Sequence, residues 1–265
     1  MKLTERNYYG KNASLEYMSV SQYKQFCKCE AMAMAELKGK YERPKSSALL
    51  LGSFVDEMLT GTKKSQEKFI EEHREELFKK NGDPYADVAK ALEAIERVKA
   101  QPLMMKYLSG GHQKIMTGEI EGVPFKIKMD SYKPHEYIAD LKYMASLRSP
   151  NLFEPMVKYW NYVAQGAVYQ EIVYQNTGER LPFYLVIATK ETPTHLEVCE
   201  IKQYDLDEEL DNIRKRVPRF HAIKRGEVEA ERCEEYECNY CTETRVLKKP
   251  IDSNFLGLTR KEDEE

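Results

Sequence analysis

The chain has 265 residues, 42% hydrophobic and 11% aromatic, enough to bury a real core in one large domain or two small ones. Its net charge of −3 excludes the basic exterior that a tight, general polyanion binder would carry. No apolar run approaches membrane-spanning length, and Met1–Tyr9 lacks the apolar centre of a secretory leader, so a cytoplasmic setting with no membrane partner is expected. The negative charge is unevenly placed: Glu227–Glu237 and Glu262–Glu265 are acid-rich, and the remainder is close to balanced.

In chain order, Ser19 or Ser21 caps a helix predicted to run to about Leu37, with Gly39 after it. Further helices are predicted at Ser47–Leu59, Lys64–Lys79 and Pro84–Tyr107, an amphipathic and charged half that would surround a sheet. The sheet would comprise Gln113–Glu121, Pro124–Lys133, Glu136–Tyr143, Pro182–Thr189 and His195–Ile201. Between its third and fourth strands Met156–Gln175 reads as a helix, with Gln165 and Tyr169 four apart on one face. Leu206–Val217 reads as a helix stopped or kinked at Pro218, with Leu206, Leu210, Ile213 and Val217 as its buried stripe. His112, His135, His195 and His221 have no metal-site spacing and are expected on loops or the surface.

The chemistry concentrates in the second and third strands. Period-two alternation puts Phe125, Ile127 and Met129 on one face and Lys126, Lys128 and Asp130 on the other. Lys133-Pro134-His135-Glu136 reads as a turn, after which Ile138, Asp140 and Lys142 share a face. A hairpin centred near His135 sets Asp130 opposite Asp140, with Cβ atoms roughly 5 Å apart. Two carboxylates that close repel unless a proton or cation relieves them. Hard oxygen ligands suit Mg²⁺ or Mn²⁺, and a lysine alongside can orient a water or stabilise charge on a phosphate. The plainer reading, a charged outer strand face, accounts for the same short string. Lys126, Lys128, Lys142 and Arg148 would supply local positive charge.

Taken as an ordered set, Asp130, Asp140-Leu141-Lys142 and Gln165-x-x-x-Tyr169 resemble the PD-(D/E)XK nucleases of the RecB-like group, above all phage-type exonucleases related to the catalytic part of RecE. Leu49–Asp56 upstream shares in the likeness, which runs from Met18–Tyr23 to Thr244–Leu247. The resemblance implies Asp130, Asp140 and the Leu141 carbonyl as metal ligands, Lys142 acting on the attacking water, and Gln165 and Tyr169 holding the DNA strand and the lysine. The family's upstream helix usually carries Gly-x-x-Val-His; here Gly52-Ser53-Phe54-Val55-Asp56 puts aspartate in that place. Asp56 is either a fourth metal ligand or an ordinary polar position near a helix start. Glu119 is a further candidate for the shell.

Six cysteines occur, three of them as Cys233-x4-Cys238-x2-Cys241. In a reducing compartment this spacing favours Zn²⁺ or an iron–sulfur cluster over disulfides, with free thiols as the alternative. Some RecB-like nucleases hold a [4Fe–4S] cluster with one cysteine before the core and three after it. The resemblance therefore implies Cys29, with Cys233, Cys238 and Cys241, although Glu30 stands where the family has proline. Cys27 competes with Cys29, and since two positions apart on a helix they face differently, one of them is expected to bind. Cys199, in an apolar strand, reads as core.

The expectation is one compact α/β domain, a mixed central sheet flanked by helices with a C-terminal cysteine clasp. Residues 1–112 would be its helical part, 113–225 its core, and 226–265 the clasp and acidic tail. The resemblance implies a Mg²⁺-dependent exodeoxyribonuclease working on double-stranded DNA ends in phage-type recombination. It also implies a single-strand annealing protein as partner and a ring-like homo-oligomer. The alternatives are a single-strand or flap endonuclease, a noncatalytic DNA-end-binding module, and a scaffold whose zinc-bound cysteines mediate protein contacts only.

Overall fold

A computed structural model describes residues 2–44, 46–151, 154–233, 238–247 and 250. The acidic tail Glu262–Glu265 and part of the Glu227–Glu237 patch lie outside them. Helices α1 (Lys11–Glu16), α2 (Val20–Lys28), α3 (Glu30–Leu37), α4 (Ser47–Thr60), α5 (Lys63–Glu72), α6 (Arg74–Leu77), α7 (Ala86–Lys99) and α8 (Pro102–Leu108) precede strands β1 (Gly111–Ile120), β2 (Val123–Lys133) and β3 (Tyr137–Met144). Helices α9 (Met156–Tyr159) and α10 (Tyr162–Thr177) cross over to β4 (Phe183–Thr189) and β5 (Leu196–Ile201). The long α11 (Gln203–Arg225) and short α12 (Asn239–Glu243) follow.

The strands form one sheet in sequence order β1-β2-β3-β4-β5, antiparallel except for the parallel β3–β4 pair. A parallel neighbour requires a crossover, and α9–α10 supplies it. The mixed, helix-flanked sheet expected from the strand pattern is therefore present. Each face has its own core. On one, Phe125, Ile127, Met129, Ile138, Phe183 and Leu185 pack against α2, α10 and α11. On the other, Ala139, Leu141, Val186 and Ala188 pack against α4, α7 and α8. The sheet is buried on both sides, which is why β4 reads as an unbroken apolar run rather than an alternating one.

Helix boundaries depart from expectation at five places. The predicted Ser19–Leu37 helix is broken at Cys29, whose backbone is extended (φ −164°, ψ 111°) and whose Sγ caps α3 by accepting from Met32 N. Lys64–Lys79 breaks at His73, which caps α5 and starts α6. Pro84–Tyr107 breaks before Pro102, which cannot continue a helix but suits the first turn of α8. Met156–Gln175 breaks at Asn161, which is left-handed (φ 53°). Conversely, α11 continues past Pro218, so of the stop or kink expected there the stop does not occur. Its buried stripe of Leu206, Leu210, Ile213 and Val217 continues through Phe220 and Ile223, and this tertiary burial outweighs the one backbone bond that proline removes.

Two features position the site. The β2–β3 ladder covers only Ser131–Lys133 and Tyr137–Ala139, so the strands part beyond the Ser131–Ala139 pair. Met18 takes up the backbone groups of β2 freed by the fork: its N–H donates to Pro124 O (2.7 Å) and its carbonyl accepts from Lys126 N (2.9 Å).

Candidate functional site

The turn at Lys133–Tyr137, with left-handed His135 (φ 65°), sets the register that places Asp130 and Asp140 opposite each other, one step past the last ladder pair, at the mouth of the fork. Leu141 N donates to Asp130 Oδ2 at 3.0 Å, tying the two strands where their ladder has ended. Asp140 is buried. Its Oδ1 accepts from Gln165 Nε2 of α10 at 2.6 Å, and its Oδ2 meets the Lys142 ammonium in an ion contact, with no angularly formed hydrogen bond. Tyr169, one turn beyond Gln165, donates its hydroxyl to Lys128 O at 2.9 Å, so it braces β2 rather than reaching Lys142.

Asp56 arrives from α4, on the other side of the sheet. Thr60 Oγ1 donates to its Oδ1 (3.1 Å) and Gln113 Nε2 to its Oδ2 (2.9 Å). Neither Thr60 nor Gln113 stands out in the sequence. The left-handed backbone of Gln113 (φ 52°) within β1 is uncommon for a residue with a side chain, a form of strain that tends to gather at functional sites. Glu119, the open candidate for the shell, sits at the far end of β1, exposed and opposite Pro124. His112, expected on the surface, donates Nδ1–H to Asp130 O at 3.1 Å; a carbonyl can only accept, which sets the tautomer.

Electrostatics follow from burial. Asp130 is pushed well above the carboxylate range by burial and then by the charges of Asp140 and Asp56. Asp56 is raised to about 6, mainly by burial, with Thr60 opposing and Asp140 adding. Burial alone would depress Lys142, but Asp140 and Asp130 more than offset it and hold the ammonium above its ordinary value. Lys24, from α2, is lowered to about 7 by burial and by Lys142; it donates to Trp160 O (3.1 Å) and shares the Tyr162 ring with Lys142. Asp140 is buried and Asp56 and Asp130 are half-buried; the three acids share the floor with Lys142, and Asp140 Oδ2 lacks a directed partner. That oxygen-rich set fits a hard divalent cation.

These groups floor a cleft of about 1190 Å³. One lip is built from the N-terminal segment and α2–α3, the other from α4 and α5. Lys126, Lys128 and Lys142 line it; Arg148, expected beside them, is exposed and does not. Lys126 is not a solvent-facing cation as alternation implies, but is buried against Tyr8.

The cysteines form a second centre. The Sγ atoms of Cys29, Cys233, Cys238 and Cys241 all lie within 4.8 Å of one another, and Cys29 and Cys241 approach to 3.5 Å. None of the four forms a disulfide. Cys27 is outside the group because the helix ends between it and Cys29; its Sγ contacts Arg216 Nη1 at 3.7 Å. Four sulfurs gathered this closely, three on buried residues and Cys233 half-buried, fit a thiophilic metal. Cys199 is half-buried at the edge of the larger core.

Residues 19–244 match the family described as PDDEXK-like domain of unknown function (DUF3799). The chain is similar to a "Putative exonuclease" from Eubacterium rectale of known crystal structure, at 43% identity and a TM-score of 0.89, over 97% of this chain and 99% of that one. A comparison with curated proteins finds no match.

Proposed function

Since the chain belongs to the PDDEXK-like domain family, we propose that it is a divalent-metal-dependent deoxyribonuclease that acts as an exonuclease on double-stranded DNA ends. The observation that carries this reading is the convergence of Asp56, Asp130 and Asp140 with Lys142 on the floor of one cleft. The likeness to a protein named as an exonuclease supports the exonucleolytic form.

Asp130, Asp140 and the Leu141 carbonyl would hold Mg²⁺ or Mn²⁺, with Asp56 completing the set in place of the family histidine. When bound, such a cation supplies Lewis-acid charge at the scissile phosphate and makes water a better nucleophile. Gln165 fixes the rotamer of Asp140. Lys142, held protonated by its two acids, enters as a hydrogen-bond donor to the water or a phosphate oxygen. Tyr169 keeps β2 in place beneath Lys128.

The four cysteines would hold a metal centre that pins residues 226–265 to the N-terminal helices. A [4Fe–4S] cluster is the reading that the RecB-like likeness implies. Zinc is favoured by spacing, since a tetrahedron of sulfurs at about 2.3 Å from the ion places them about 3.8 Å apart. The same likeness extends the reading to phage-type recombination in a reducing cytoplasm, with a single-strand annealing partner and a homo-oligomer around DNA. Residues 1–112, 113–225 and 226–265 would serve as helical part, core and clasp of one domain.

The test is digestion of linear and closed-circular DNA with Mg²⁺ or Mn²⁺, beside the Asp140→Ala variant. Linear substrate should be lost and circles spared, with the variant inert. Circles cut as readily as linear DNA would move the assignment to an endonuclease. Wild type as inert as the variant would leave a DNA-end-binding module. Iron, sulfide and zinc assays on anaerobically prepared protein decide the second centre.

A further inference from the structure

The lip of the cleft that faces Asp56 begins before the family-matched residues 19–244 and carries an aromatic feature that the catalytic reading does not use. Tyr8 is buried, and its carbonyl accepts from the Lys126 ammonium, which also lies 4.7 Å from the centroid of its ring. The Tyr8 and Tyr9 rings meet T-shaped, centroids 5.0 Å apart at 84°. Tyr9 itself is 74% exposed, lines the cleft, and has the Lys128 ammonium 4.7 Å from its centroid. Lys128 is in turn held by Tyr169 through its carbonyl.

An exposed aromatic ring on a rigid support, with an ammonium beside it and a polar cleft in front, has the form of a stacking platform for single strands, where rings take bases and lysines take phosphates. With 74% of the residue in water and the cleft in front of it, the Tyr9 ring is accessible to a base. Bases inside a duplex are already stacked on each other and offer no such face. An unpaired nucleotide can put its base on Tyr9 while its backbone continues along Lys128 toward the floor.

We propose that Tyr9 and Lys128 form a binding step for an unpaired nucleotide of single-stranded DNA, so that the strand reaching Asp130 and Asp140 is single rather than paired. This rests on the nuclease reading above and deepens it by naming the form of the substrate.

The experiment uses the full chain in buffer without added divalent cation, so that binding is read apart from turnover. The probes are a short single-stranded oligonucleotide with 2-aminopurine at one end and a duplex closed by a hairpin at both ends. Wild type should bind the single strand and quench 2-aminopurine. Tyr9→Ala should weaken that binding about tenfold and lose the quenching, whereas Tyr9→Trp keeps both. Lys128→Gln should weaken binding and flatten its salt dependence. Closed-duplex binding should be indifferent to Tyr9→Ala. Equal affinity and quenching in Tyr9→Ala, or an equal loss on the closed duplex, overturns the proposal. The nuclease reading fails separately: wild type inert with Mg²⁺ and Mn²⁺ while Tyr9-dependent binding persists leaves a single-strand binder without hydrolysis.

Discussion

Asp56 and Asp130 both hold a proton more tightly when folded than a free carboxyl does, because burial and neighbouring acids penalise the charged form. Groups whose pKa is raised on folding contribute stability at low pH and lose it as pH rises through the folded value. Without a divalent cation, Tm should therefore fall between about pH 5 and about pH 7.5, Asp56 alone accounting for on the order of 1 kcal/mol over that window. Adding Mg²⁺ or Mn²⁺ should restore Tm, and more so at the higher pH, because carboxylate ligands must be deprotonated. Thermal scans at both pH values check this; an equal rise at each would separate these acids from the ion. Gln165→Ala frees Asp140 Oδ1 without touching the ammonium contact on Oδ2, and should cost about 10- to 100-fold in metal affinity or turnover. Asp140→Ala should cost more, at least about 100-fold in kcat, read on linear DNA.

At the scale of elements, close approach decides two sites. Helix α10 lies so near β4 and α11 that a Cβ at Gly166 would sit 2.7 Å from both Phe183 Cδ1 and Leu206 Cδ2. Both neighbours belong to the main core, so Gly166→Ala should destabilise by about 1–3 kcal/mol in denaturant titration. Because α10 also carries Gln165, turnover should fall with it. The clasp is the other site. Glu30 takes a bidentate pair from Arg219 of α11 (2.8 and 2.9 Å) and also accepts from Glu231 N (2.9 Å), while Ala31 N donates to Glu231 O (2.9 Å). Glu30 thus ties the chain leading to Cys233 onto both α3 and α11. If the four cysteines hold a metal as proposed, Cys29→Ser or Cys241→Ser should abolish its binding and lower Tm by several degrees, with proteolysis moving to residues after 226. Retained metal stoichiometry in both variants would remove the four-thiol centre.

Across the whole molecule, legibility follows the range of the interaction. The five strands and the β2–β3 register are readable because alternation and a turn at His135 are local properties, and Asp130, Asp140 and Lys142 all lie within that hairpin. The cysteine spacing is readable for the same reason. Helix ends are less so: Asn161 and His73 interrupt helices with no strong breaker, and Pro218 fails to interrupt one because its neighbours are buried. The partners of Asp56, the seat of His112 and the exposed ring of Tyr9 carry no local pattern at all. Gln113 reaches Asp56 across 57 positions, and Cys29 meets Cys241 across 212.

The amino-acid sequence alone determined which side chains share a strand face and how far apart they stand, since backbone period and turn chemistry set those distances before any core forms. Tertiary structure decided which distant segments close over that face. The burial of α4 on one side of the sheet and of α2, α10 and α11 on the other brings Asp56 to the site, and a separate small cluster around Met32 gathers the thiols. Burial is nondirectional and summed over many residues, so no single stretch of chain records where its partner lies.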